Sequence, residues 1–78
     1  MYYTYILQSQ KDNSFYIGFT KLLQKRIRQH NSGKSKYSSK HAPYKLVYYE
    51  KLDTKEDAIK REKFFKTTEG RKFFRNKI

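Results

Sequence analysis

The first twenty residues constrain the chain most, because their polarity alternates with a period of two. Tyr3, Tyr5 and Leu7 point one way and Tyr2, Thr4, Ile6 and Gln8 the other, so Met1 to Gln8 reads as a strand. Gln10-Lys11-Asp12-Asn13 is polar and carries turn formers. Ser14 to Phe19 then alternates again, with Phe15, Ile17 and Phe19 opposite Tyr16 and Gly18. The expectation is a hairpin. An even number of residues in the turn sets Tyr5 and Tyr16 on one face of the sheet, and an odd number separates them.

Downstream the period changes. Thr20 is placed to cap a helix from about Lys21 to Asn31, ending before Gly33. Leu23, Ile27 and His30 form one stripe of that helix, and Leu22, Arg26 and His30 the stripe beside it. Residues 32–44 are polar and basic, with Gly33 and Pro43, and read as an exposed loop. Lys45 to Lys51 reads as a third strand. Asp53 or Thr54 then offers a capping box, with Glu56 or Asp57, to a helix running to about Thr67. A last short helix covers roughly Glu69 to Asn76. The order β-β-α-β-α-α predicts an α+β fold, in a single domain spanning residues 1–78.

Composition bounds what such a domain can be. Leu, Ile, Val and Phe make up 17 of 78 residues, just above the range in which disorder is the default, and eight tyrosines add apolar bulk. A chain this short buries only about 60% of its unfolded surface, so its core is small. With no cysteine, disulfides, thiolate zinc sites and a cysteine nucleophile are excluded. Apolar runs are far shorter than a membrane span, and Met1 leads directly into the first strand. The expected setting is the cytoplasm, with no membrane partner. Nineteen Lys and Arg against seven acids give a formal net charge of +12, which points to a polyanionic partner, most commonly nucleic acid.

Glu62 carries the most chemical information. It shares a helix face with Ala58 and Phe65, flanked by Ile59, and that face should meet the sheet. An inward carboxylate is costly unless paired or holding a metal. Two readings stand: an ion pair to Arg26 or Arg61, or a single-carboxylate Mg²⁺ site whose remaining ligands are waters and phosphate oxygens. Arg26 and His30, at i and i+4, are either an exposed cation and a core imidazole, or a phosphate clamp with a proton relay. Tyr5 and Tyr16 either pack or, near a metal and an arginine, act as base or water-positioning groups. Gly18 inside a strand signals a bulge or a close backbone approach.

Together these residues resemble the GIY-YIG nuclease superfamily over essentially the whole chain. The carrying pieces are Tyr3-Thr4-Tyr5-Ile6-Leu7, Phe15-Tyr16-Ile17-Gly18-Phe19-Thr20, Lys25 to Asn31 with Arg26 and His30, and Ala58-Ile59-Lys60-Arg61-Glu62-Lys63. They are similar to the small single-domain bacterial branch, akin to the N-terminal nuclease module of the bacterial repair excinuclease. Tyr3-Thr4 stands where the family name has Gly-Ile. The resemblance implies a three-stranded antiparallel sheet flanked by helices, and phosphodiester cleavage with one divalent metal, Mg²⁺ or Mn²⁺. It implies Tyr5 and Tyr16 as the two motif tyrosines, with Tyr16 as general base or water-activating group. Arg26 would stabilise transition-state charge, Glu62 would hold the metal, and His30 would relay protons or bind substrate. Gly18 would permit close packing.

The cations cluster in three places. Lys21, Lys25 and Arg28 lie on the first helix, Lys34, Lys36 and Lys40 in the basic loop, and Lys66, Arg71, Lys72, Arg75 and Lys77 near the C-terminus. An excess that no acids offset favours phosphate binding, indifferent to sequence and steeply salt-dependent. The leading expectation is a metal-dependent endonuclease acting on DNA rather than RNA, in repair or processing of structured DNA, with a protein partner supplying specificity. The competing expectations are a non-catalytic nucleic-acid-binding module of the same fold, and a subunit that docks on an acidic protein.

Overall fold

Three strands, β1 (Tyr2–Ser9), β2 (Phe15–Thr20) and β3 (Tyr44–Leu52), form an antiparallel sheet in the order β2-β1-β3. Among the described residues, three helices accompany the sheet: α1 (Leu23–Asn31), α2 (Lys55–Phe65) and α3 (Thr68–Arg75). These elements come from a computed structural model that describes residues 1–32 and 41–78. Most of the predicted basic loop, including Lys34, Lys36 and Lys40, lies outside the described residues.

The hairpin register pairs Gln8 with Phe15, Leu7 with Tyr16 and Tyr5 with Gly18. Six residues separate Gln8 from Phe15, so the count is even and Tyr5 and Tyr16 share a face. Asn13 turns the chain at a φ of 63°, a left-handed conformation that asparagine tolerates. Ser9 Oγ accepts from the Lys11 and Asp12 amides and donates to the His41 carbonyl at 2.5 Å. The Asp12 carboxylate takes Ser14 N–H and O–H and meets His41 Nδ1 at 2.7 Å. The bonds from Ser14, with help from His41, hold Asp12 well below the usual carboxylate range.

The two sheet faces carry separate apolar clusters. Ile6 and Ile17 pack with Phe65 and Phe74 on the α2–α3 side. Tyr5, Leu7 and Tyr44 pack with Leu23 and Ile27 of α1 on the other. Thr4 Oγ1 donates to the Ala58 carbonyl at 2.8 Å, tying α2 to the central strand. Tyr44 is buried and opens β3, although the sequence places it in an exposed loop. Asn31 explains this: its Oδ1 accepts the Tyr44 amide at 2.6 Å and its Nδ2 donates to the Tyr44 carbonyl at 3.2 Å.

Of the two helix caps expected from the sequence, at Thr20 and at Asp53 or Thr54, the second forms through Thr54, and Thr67 supplies a further cap that the sequence reading did not single out. Thr54 accepts from the Asp57 amide and Thr67 from the Gly70 amide, which starts α2 and α3. Thr20 departs from expectation. Its Oγ1 accepts from the Leu22 amide instead, and α1 begins at Leu23 without a side-chain cap. Lys66 and Thr67 separate α2 from α3, and Gly70 is the reason they fit. A Cβ there would overlap the Phe64 carbonyl, so only glycine lets α3 cross this closely.

Candidate active site

Tyr5, at 1% exposure, stands at the centre of the sheet with its ring stacked on Tyr16 at 6.3 Å between centroids. Gly18 is the cross-strand partner of Tyr5, and a Cβ at Gly18 would lie 2.8 Å from the Tyr5 hydroxyl and 3.2 Å from the Tyr16 ring. No side chain fits under the phenol. The strand glycine therefore marks a close approach by a ring, not a bulge.

A cleft of about 580 Å³ opens beside these rings, lined by Tyr5, Tyr16 and Gly18 from the sheet, Arg26 from α1 and Glu62 from α2. Two phenols, a guanidinium and a carboxylate thus meet on one space. Lys21 and Lys25 also line it, together with Tyr2, Gln29 and Lys55. The last three were not expected from the sequence. Lys55 had a usable signal, since it precedes Glu62 by seven residues and so shares its helix stripe.

His30 sits behind the cleft. It is 6% exposed, is absent from the cleft lining, and its Nε2 lies 3.2 Å from the Tyr5 hydroxyl. Its ring also packs against Tyr16 at 4.5 Å and edge-on to Tyr44. Nδ1 is buried and has no hydrogen-bond partner among the described residues. Burial, reinforced by the Arg26 charge, lowers the His30 pKa, so the ring is neutral at pH 7. Placing its proton on Nε2 spares a stranded buried N–H, and Nε2–H then donates to Tyr5. Burial, with the Tyr16 phenol beside it, pushes the Tyr5 pKa well above the ordinary phenol value, so Tyr5 stays protonated. A direct contact between His30 and substrate does not fit this placement.

Glu62 is not paired as the ion-pair reading expected. Arg61 donates through Nε and Nη2 to Glu50 at 2.7 and 2.9 Å, and Glu50 also accepts from Tyr48 at 2.7 Å. The Arg61 guanidinium lies 4.7, 4.8 and 5.3 Å from the Phe64, Phe65 and Phe73 rings. It is a structural clamp, fully engaged elsewhere. Arg26 reaches the cleft, but the ion partner of Glu62 is Lys66, one turn on, at 3.7 Å. With Lys66 55% exposed, that contact is loose and worth little.

The donor set bears on which metal could fit. The described residues contain no group of three or more His, Asp or Glu that could cage an ion. A lone carboxylate whose side chain is 19% exposed, facing a cleft of about 580 Å³ with room for several waters, suits a hard octahedral cation that keeps its waters. It does not suit zinc or calcium, which need more protein ligands.

The GIY-YIG catalytic domain matches residues 1–77, and the chain belongs to this family. The family is one of nucleases, generally dependent on a divalent metal. Within it, UPF0213 proteins of Staphylococcus saprophyticus and Clostridium perfringens are each 46% identical over 67 residues, or 85% of this chain. Those matches cover 80% and 71% of the two relatives. The solution NMR structure of a UPF0213 protein from Bacillus halodurans is similar, with a TM-score of 0.59 and 32% identity over 97% of this chain and 84% of that one. The three-stranded α+β architecture agrees with that neighbour. Among the described residues, no helix is long and apolar enough to cross a membrane.

Proposed function

We propose that this chain is a metal-dependent endonuclease that hydrolyses phosphodiester bonds in DNA, acting as a single domain in the cytoplasm. The observation that carries the reading is the convergence of Tyr5, Tyr16, Arg26 and Glu62 on one cleft. Glu62 would hold Mg²⁺ or Mn²⁺, which when bound supplies Lewis-acid charge next to the leaving oxygen.

The protein groups divide the remaining work. Arg26 presents a guanidinium fork to the scissile phosphate and stabilises the charge that builds in the transition state. Tyr16 is less buried than Tyr5 and is the better placed of the two to accept a proton from an attacking water. Tyr5, held protonated by burial, donates a hydrogen bond and is a poor base. His30 positions Tyr5 from behind. Lys21, Lys25, Arg28, Lys66, Arg71 and Lys72 would contact the phosphate backbone, and specificity would come from a protein partner or from DNA structure, as in repair or processing of branched substrates.

A cleavage assay with Mg²⁺ or Mn²⁺ on plain, nicked and flapped duplex tests this. Glu62→Gln and Tyr16→Phe should each abolish cutting while keeping the fold and most DNA affinity. Full cleavage by a clean Glu62→Gln preparation overturns the metal-ligand role. Binding without cutting under either metal would favour the non-catalytic module, which the loose Glu62–Lys66 pair also accommodates.

A further inference from the structure

α1 covers only part of its sheet face. Beyond its N-terminal end, Tyr3 and Tyr49 stand together on the uncovered part, with ring centroids 6.0 Å apart. Tyr49 is paired with Tyr5 in the β1–β3 register, so it shares the face of the active-site phenol one strand over. It is 51% exposed, and Leu22 beside it is 59% exposed. These residues line a second groove of about 580 Å³ together with Lys21, Lys25 and Arg28. No acidic side chain lines it among the described residues. Lys21, Leu22 and Lys25 line both this groove and the candidate active cleft, so the two spaces are neighbours across the start of α1.

We propose that the Tyr3–Tyr49 groove binds a single-stranded segment of DNA, stacking an unpaired base on Tyr49 while Lys21, Lys25 and Arg28 hold its phosphates. An exposed aromatic ring in water costs free energy that a base face recovers, and the three cations beside it match the strand's charge. Apolar aromatic surface with cations but no carboxylates is the chemistry of single-strand binding; a duplex hides its base faces and offers the rings nothing. Resting on the nuclease reading of the adjacent cleft, the groove makes the substrate a DNA with an unpaired strand next to the cut, such as a fork or flap.

The test uses the whole chain carrying Glu62→Gln, so that binding is read without cleavage. Fluorescence anisotropy would compare a short single strand, a forked duplex and a blunt duplex with equal phosphate counts at one salt concentration. The single strand and the fork should bind several-fold tighter than the blunt duplex. Adding Tyr49→Leu should weaken single-strand binding by about tenfold and leave the blunt duplex unchanged, whereas Tyr49→Phe should retain affinity. Lys25→Ala should weaken every substrate alike. Upfield ring-proton shifts of Tyr49 on adding the strand give a second readout that needs no substitution at that position.

Equal affinity for single strand and blunt duplex overturns the proposal. So does Tyr49→Leu acting on both alike or on neither, and tighter binding of an RNA strand overturns the assignment to DNA. Wild-type protein that binds in the expected pattern but never cuts would fail the cleft and keep the groove. Cleavage with no single-strand preference would do the reverse.

Discussion

The Tyr5 hydroxyl lies over the backbone of Gly18, where a Cβ would stand only 2.8 Å from it. The ring cannot tilt away freely, because Tyr16 stacks beside it and His30 meets its hydroxyl. Gly18→Ala should therefore displace Tyr5 and destabilise the fold by about 1–3 kcal/mol, the usual range for overpacking. Thermal melts read the stability. Cleavage at a temperature where the variant is folded should still be reduced, and unchanged cleavage there would mean the Tyr5 position is not needed for chemistry.

Glu50 and Arg61 tie the edge strand β3 to α2. Burial alone would raise the Glu50 pKa, yet the hydrogen bonds from Arg61 and Tyr48 win and lower it. The same pairing raises the Arg61 pKa. The Tyr48 phenol is pushed up to about 12 by burial and by its bond to Glu50. Truncating Arg61 leaves a carboxylate whose side chain is only 20% exposed without its cation, and also removes the guanidinium from three phenyl rings. Arg61→Ala should cost roughly 2 kcal/mol, since charged hydrogen bonds are worth about 1.5–3 and this pair is partly solvated. A double-mutant cycle with Glu50→Gln should show clear coupling, while cleavage by folded Arg61→Ala should persist because Arg61 lies outside the cleft lining.

Gly70 inverts a common rule. In an exposed helix, Gly→Ala stabilises by about 1 kcal/mol. Here the added methyl would run into the Phe64 carbonyl and the Phe65 backbone. Gly70→Ala should lower the melting temperature, by more than Gly18→Ala does, because backbone cannot rotate aside as a side chain can. An equal or higher melting temperature would show that α3 can shift without cost.

Stability should fall as the pH drops below about 6.5. The folded protein holds His30 with a pKa below its ordinary 6.5, through burial first and the Arg26 charge second. Between those two values the unfolded chain binds the proton and the folded chain resists it, so acid favours unfolding. The loss begins near pH 6.5 and stops once the folded-state pKa is passed. Asp12 and Glu50, both lowered, act in a separate and more acidic window. Melting temperature measured from pH 8 to 5 should decline in the wild type and flatten in His30→Gln. A parallel decline in both would place the titrating group elsewhere.

Much of this architecture was legible in the chain itself. Period-two alternation in residues 1–19 and the cap at Thr54 depend on neighbours within a few positions, and local sequence carries such information directly. The parity of the hairpin turn was enough to ask whether Tyr5 and Tyr16 share a face. Thr20 misled because a threonine before a helix can serve either a turn or a cap, and the strand end selected the turn.

Pairings across distant elements were not legible. Arg61 and Glu50 are eleven residues apart, and nothing local distinguishes that partner from Glu62. Strand order β2-β1-β3 and the irregularity opposite Ile6 and Leu7 decide which side chains of β3 face α1 and which face α2. The same long-range packing sends His30 behind Tyr5, brings Arg26 and Glu62 to one cleft, and leaves Tyr3 and Tyr49 uncovered. Sequence alone determined the elements and the inventory of reactive groups, because hydrophobic period and capping act within a turn or a strand. Only the tertiary structure decided which groups meet, because that depends on register and helix docking between residues far apart in the chain.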